Sequence, residues 1–160
     1  MTGFQAPKDS RDYFKHLLKR TDGAGARLDT LFDQYYLCLM VGLDRRILGR
    51  DDELESDRFI ERYPTDYQNQ ADVIAGLLIN AELHRKDIHK EDRGTIEREM
   101  LTVLDHQSST RLSDEGMQLL NRYAAAGFKT IRDEILPPQS LEEFLVLYQG
   151  LWAERPASSS

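Results

Sequence analysis

The sequence predicts an all-α fold, a single irregular bundle of about six helices. Three observations lead to this prediction. Apolar residues recur at the three- and four-residue spacing of a helix, no stretch alternates apolar and polar residues over a competing length, and Gly or Pro clusters separate the helical segments. The chain has 160 residues, 40% of them hydrophobic and 31% charged, which suits one core. We expect one helical domain over residues 1–154 and a disordered tail over 155–160.

The first two helices are predicted over about 9–20 and 28–48. Asp9 or Ser10 is a suitable N-cap for the first helix, and a glycine-rich stretch over 21–25 ends it. The second helix is apolar on nearly all sides over 35–41, which is typical of an element packed by several neighbours. We expect it to be the central helix of the bundle.

An acidic connection over 51–57 should follow the central helix. Five acidic residues in seven are typical of a solvated loop. Phe59 and Ile60 then fit a short helical turn that Pro64 ends.

The third and fourth helices are predicted over about 66–87 and 92–105. Ile74, Leu78 and their neighbours have the spacing of one buried face of the third helix. Gly76, within that helix, would fit a close crossing with another helix.

The fifth and sixth helices are predicted over about 113–136 and 141–152. Ser113 is a good N-cap, since the acidic residues after it would then lie in the first helical turn. The small residues over 124–127 should allow another backbone to approach closely. Pro137 and Pro138 break this helix, and the Ser140 to Glu143 spacing is that of a capping box for the last one.

The charge pattern argues against a dedicated nucleic-acid binder. The net charge is −7 and neither half of the chain is basic, whereas phosphate neutralisation normally needs a concentrated positive patch. The clearest local patches are Lys8, Arg11, Lys15, Lys19 and Arg20 near the N-terminus, and Arg45, Arg46 and Arg50 in the middle. The three arginines of the second patch could reach phosphates weakly or could pair with the acidic residues over 51–57. The duplex-binding interpretation would matter only within a larger complex.

The sequence also predicts the cellular compartment and the role of the single cysteine. No apolar stretch near the N-terminus resembles a signal peptide, and the uncharged run over 34–43, which no other run exceeds, is about half of the ~20 residues that cross a bilayer. We therefore expect cytoplasmic residence and no membrane association. Cys38 lies in an apolar run and is interpreted as a buried structural thiol.

No metal site and no cofactor are predicted. Metal-ligating residue types are densest over 82–92, but His84 and His89 are five residues apart, so they lie about 140° apart around a helix. No nucleophile motif and no phosphate-binding loop has its required context. The chain is therefore more consistent with a protein that is not an enzyme.

One short motif supports an enzymatic alternative. Arg11 and His16 resemble the Arg-x4-6-His signature of the HEPN ribonucleases, an all-helical and often dimeric family. The resemblance implies that Arg11 positions phosphate and that His16 acts in RNA cleavage without metal. The other interpretation is a basic, solvent-facing helix.

The last helix carries a broad apolar stripe that includes Phe144, Tyr148 and Trp152. A helix this apolar must pack, either on its own bundle or on a partner or second copy. We expect packing on its own bundle, because the link through Pro137 and Pro138 is short. If that fails, these three side chains become the partner-binding residues.

Several blocks resemble a bacterial family associated with Dnd systems, which phosphorothioate DNA and use the modification in defence against phage. The similarity spans about residues 31–135. The blocks are Gly42-Leu43-Asp44-Arg45-Arg46, Ile74-Ala75-Gly76-Leu77-Leu78, Leu112-Ser113-Asp114-Glu115-Gly116, Leu120-Asn121, Tyr123-Ala124 and Gly127-Phe128. The resemblance implies a non-enzymatic accessory protein that contacts other proteins of a DNA-modification or restriction complex, with any DNA contact indirect. Homo-oligomerisation stays open, and the resemblance implies no catalytic residues.

Overall fold

The computed structural model describes residues 3–18 and 27–153. Within them the fold is predominantly helical, with one small antiparallel sheet of two strands, so the all-α prediction is correct only in part. The elements in chain order are β1 (Phe4–Pro7), α1 (Ser10–Tyr13), α2 (Leu31–Arg45), a 3-10 helix (Asp51–Glu53), β2 (Leu54–Ile60), a second 3-10 helix (Thr65–Gln70), α3 (Ala71–Arg85), α4 (Arg93–Val103), α5 (Asp114–Glu134) and α6 (Leu141–Ala153).

The centre of the molecule is the crossing of α2 and α5. A Cβ atom at Gly127 would overlap the carbonyl oxygen of Cys38, and one at Gly42 would overlap the carbonyl oxygen of Tyr123. The two backbones can therefore approach this closely only because both positions are glycine. The expected close approach at the small residues over 124–127 is confirmed, and α2 is the central helix as predicted.

The two strands pair Phe4 with Ile60 and Pro7 with Leu54. Asn121 of α5 holds β1 in place from inside. Its Oδ1 accepts hydrogen bonds from the amide of Gln5 at 3.1 Å and from the Tyr35 hydroxyl at 2.7 Å. Its Nδ2 donates to the carbonyl of Gly3 at 2.9 Å. An amide is suited to this position because it satisfies a donor and acceptors at once.

The solvated loop predicted over 51–57 and the helical turn at Phe59 and Ile60 are both wrong. The acidic segment begins with a 3-10 turn and continues as β2, which ends at Ile60. Most of β2 is exposed or half-buried, which is why its sequence is rich in charges. The Phe59 ring, 6.5 Å from the ring of Phe4, packs partly buried against the core.

The first helix is also shorter than predicted. Only Ser10–Tyr13 is α-helical, and the chain continues in turns that bury Phe14 and Leu17. The carbonyl of Leu17 then accepts a hydrogen bond from the amide of Leu28 at 2.6 Å. Pairing with Leu28 draws the chain away from a helical path. The predicted end of this helix at 19–20, the stop over 21–25 and the tail over 155–160 lie outside the described residues.

The remaining helices agree with their predicted bounds to within a few residues. Ser113 is the N-cap of α5, and its hydroxyl accepts from the amide of Gly116 at 3.0 Å. The Ser140 hydroxyl accepts from the amide of Glu143 at 3.2 Å at the start of α6. The close crossing predicted at Gly76 is wrong, because nothing lies within 4 Å of the place where its Cβ would be.

Candidate functional site

One face of α6 packs against the bundle. Leu141, Phe144 and Leu151 are buried, and the Phe144 ring lies edge-on to Phe14 with centroids 5.4 Å apart. The expected packing of α6 on its own bundle is confirmed for this face. Phe144 is therefore not accessible as a surface anchor.

Two further contacts fix the position of α6 relative to α2. The Tyr148 hydroxyl donates to the carbonyl of Leu37 at 2.8 Å, and the Arg45 guanidinium donates to the carbonyl of Leu151 at 2.8 Å. Tyr148 and Trp152 remain half-buried, with ring centroids 6.0 Å apart. Both rings therefore contribute mainly to the packing of α6 against the bundle.

The opposite side of α6 is apolar and exposed. Leu145, Val146 and Leu147 are consecutive, and 43%, 71% and 47% of their surfaces are accessible. We call these three residues the outer α6 face. Val146 lies opposite the buried face, and Leu145 and Leu147 lie about 100° to either side of it, so the three cover the outer half of α6. Single exposed apolar residues are ordinary on protein surfaces, whereas three around the outer half of one helix mark a candidate contact surface.

A second candidate is an open cavity of about 310 Å³ between α3 and α4. We call it the α3–α4 cavity. Most of its wall is apolar and comes from five residues on the two helices and the end of α4. They are Ala75, Gly76, Ile79, Met100 and Leu104.

Three polar residues line the same cavity: Asp72, His106 and Arg111. The Arg111 Nε donates to Asp72 Oδ1 at 3.2 Å, and its Nη1 donates to the carbonyl of His106 at 3.1 Å. These two bonds hold the guanidinium in one orientation, which is how arginine becomes a directional donor. No sequence pattern indicated this site, because its residues come from three separate segments.

A buried carboxylate, Glu82, lies between α3 and α5. It is fully buried, and it accepts hydrogen bonds from Arg85 Nε at 2.7 Å and from the Tyr123 hydroxyl at 2.7 Å. Burial acts to raise the pKa of Glu82, but the bonds from Arg85 and Tyr123 outweigh it and hold the pKa below its ordinary value. Its place four residues after Leu78, on the buried stripe of α3, is the signal that could have found it.

The acidic and histidine residues over 82–92 do not converge. Glu82 points into the core, and Asp92 caps α4 by accepting from the amide of Thr95 at 3.2 Å. Within 3–18 and 27–153, no three His, Cys, Asp or Glu side chains are grouped so that they could hold a metal ion.

Arg11 and His16 lie on different local structures. Arg11 is in α1, where its Nε contacts both carboxylate oxygens of Glu55 on β2 at 2.7 and 2.8 Å. His16 lies in the turn after α1 and is half-buried. The ribonuclease interpretation stays a prediction, and it requires metal-independent RNA cleavage that His16→Ala abolishes while the fold is kept.

The three arginines near the end of α2 have different roles. Arg45 bonds the carbonyl of Leu151, and Arg50 pairs with Asp52 at 3.1 Å. Arg46 is the left-handed C-cap of α2 and is exposed. The guanidinium groups therefore do not form one cluster with a shared direction.

Cys38 is buried, and burial raises the pKa of its thiol well above the ordinary value. This agrees with the structural interpretation, because a reactive thiol needs a lowered pKa. Across the described ranges, none of the helices combines the length and the apolar character needed to cross a membrane.

Comparisons with protein-family models, with curated proteins and with solved structures gave no match to this chain.

Proposed function

We propose that this chain is a cytoplasmic, non-enzymatic accessory protein of a bacterial DNA phosphorothioation-linked defence system, and that it acts through protein contacts. The observation that carries the proposal is the outer α6 face, where three consecutive apolar side chains are exposed on a helix whose other face is seated. The family resemblance over residues 31–135 supports the cellular context.

The arrangement of α6 suits a contact surface. Its position is fixed by Phe144, by the Tyr148 hydroxyl and by the Arg45 guanidinium, so a partner would meet a rigid helix. A rigid surface loses little conformational entropy on binding. Each Leu or Val side chain that becomes fully covered contributes roughly 1.5–3 kcal/mol.

The direct test replaces Leu145, Val146 and Leu147 together by Ser, Lys and Ser. We expect unchanged thermal melting, because the three side chains are exposed, and at least a tenfold loss of affinity for the purified phosphorothioation complex. Leu101→Ser on α4 is the matched control, since Leu101 is 81% exposed and lies on another element.

Two outcomes would contradict the proposal. The first is equal affinity of the triple variant and the Leu101→Ser control for the complex, which would remove the outer α6 face as the contact. The second is a set of neighbouring genes that encode metabolic enzymes and no DNA-acting proteins, which would remove the context.

A further inference from the structure

We infer that the α3–α4 cavity is a binding site for a small monocarboxylate with an apolar body of about eight carbon atoms. This site is separate from the outer α6 face and does not depend on the proposed function. Three observations support it: the size of the cavity, the absence of a side chain at Gly76, and the positions of Arg111 and Asp72.

The size of the cavity sets the size of the ligand. A volume of about 310 Å³ corresponds to roughly ten water molecules at about 30 Å³ each, and it lies at the lower end of known ligand sites. A fatty acid with ten non-hydrogen atoms fits that space. Ile79, Met100 and Leu104 provide an apolar wall for its chain.

Gly76 contributes to the open space of the cavity. Glycine in a helix interior lowers helix stability by about 0.5–1 kcal/mol relative to alanine. At positions 42 and 127 glycine is required, because another backbone lies in contact with it. Gly76 has no such neighbour. Gly150 is similarly uncrowded, but it lies in the last turn of α6, where fraying makes the cost small. The missing side chain at Gly76 leaves room inside the cavity.

The charges on the cavity wall specify the head group. Asp72 is 84% exposed and well solvated, whereas Arg111 is less exposed and is held in place by two hydrogen bonds. Those bonds use Nε and one Nη1 proton, so the guanidinium keeps further N–H groups for a ligand oxygen. Charge-assisted bonds from arginine favour a carboxylate over a neutral or cationic head group.

The test uses the full chain with 13C-labelled Ile and Met methyl groups and three probes of equal chain length: octanoate, 1-octanol and octylamine. We expect octanoate to shift the Ile79 and Met100 methyl signals saturably, with an affinity about tenfold above that of octanol. Octylamine should bind more weakly than octanol.

Four variants assign the interaction. Gly76→Leu should abolish octanoate binding, and Gly76→Ala should weaken it while raising the melting temperature. Asp72→Asn should strengthen octanoate binding about threefold, because it removes the competing negative charge while the amide oxygen can still accept the bond from Arg111 Nε. Arg111→Gln should reduce octanoate to the affinity of octanol.

The proposal is overturned by any of three results. The first is the absence of a saturable shift with octanoate up to about 10 mM, because binding weaker than that is not a specific ligand site. The second is equal affinity of the unchanged chain for octanoate and octanol. The third is octanoate binding that Gly76→Leu leaves intact. The Gly76 and Asp72 variants keep the test decisive if Arg111→Gln disturbs its loop.

Discussion

Gly42 and Gly127 set the distance between α2 and α5. The same residue type has a different role elsewhere in the chain. At the α2–α5 crossing, each glycine lies against a carbonyl oxygen of the opposite helix. At Gly76 and Gly150, the same absence of a side chain leaves open space. A glycine in a helical sequence pattern is therefore compatible with either a close helix crossing or open space. This ambiguity explains why the crossing predicted at Gly76 was wrong.

A single methyl group at the crossing should destabilise the fold. Gly127→Ala forces α2 and α5 apart, and we expect a loss of about 1–3 kcal/mol or more in the free energy of unfolding. Urea denaturation measures it. Gly150→Ala is the matched control and should gain up to about 0.5–1 kcal/mol from helix propensity. Equal midpoints for the two variants would contradict the packing described here.

The buried Glu82 carboxylate should make stability depend on acid. Its pKa is lower in the folded chain than its ordinary value of 4.5, so the unfolded chain binds the proton more readily. The stabilisation is complete above pH 4.5 and is lost as the pH falls through the lowered pKa.

Glu82→Gln should remove this acid dependence. The amide keeps an acceptor for the Tyr123 hydroxyl but loses the charge that Arg85 pairs with, so we expect a loss of about 1–3 kcal/mol near pH 7. The loss should shrink below pH 4.5. Melting temperatures measured across pH 3–7 check this, and a difference between the two proteins that grows toward acid would refute the assignment.

At the scale of elements, the sequence predicted what local chemistry decides. Ser113 and Ser140 begin helices because a hydroxyl followed by the right residues satisfies free backbone amides. The sheet escaped prediction because its causes are distant in sequence. β1 contains Pro7 and is only four residues long, and β2 has three charged residues among its seven, so neither shows a strand period on its own. One of the contacts that hold β1 in place comes from Asn121, 116 residues after Gln5.

The outer α6 face and the α3–α4 cavity also differ in how far the sequence could predict them. The apolar character of α6 was visible in its sequence, although its buried and exposed faces were not separable there, because apolar residues surround most of the helix. The α3–α4 cavity could not be predicted at all, since the distance between α3 and α4 depends on tertiary packing.

Removing α6 should unfold the domain. A fragment that ends at Pro137 lacks Leu141, Phe144 and Leu151, which are buried, and burial of each contributes roughly 1.5–3 kcal/mol. That sum is comparable with the whole stability of a domain. We expect no cooperative melting near the full-length temperature. A fragment that melts cooperatively there would contradict the packing and would make α6 a dispensable partner-binding element.

At the scale of the whole molecule, the net charge of −7 and the engaged arginines predict poor binding to DNA. Three free arginines would give a log–log salt slope of about −2.7 on duplex DNA, but Arg45 and Arg50 already bond within the chain. We expect no retardation of duplex DNA by the isolated protein at about 150 mM salt. Retardation that disappears on charge reversal of Arg45, Arg46 and Arg50 would contradict this.

The hydrogen bonds between β1 and Asn121 also determine when the fold can be completed during synthesis. The amide of Gln5 waits for a partner 116 residues downstream. At translation rates of about 5–20 residues per second, that is an interval of roughly 6–23 s. Throughout it, the strand-forming start of the chain lacks its polar anchor, and the α2–α5 core cannot assemble either. This fold therefore closes only after α5 has left the ribosome, and until then the apolar side chains of α2 lack their main packing partner.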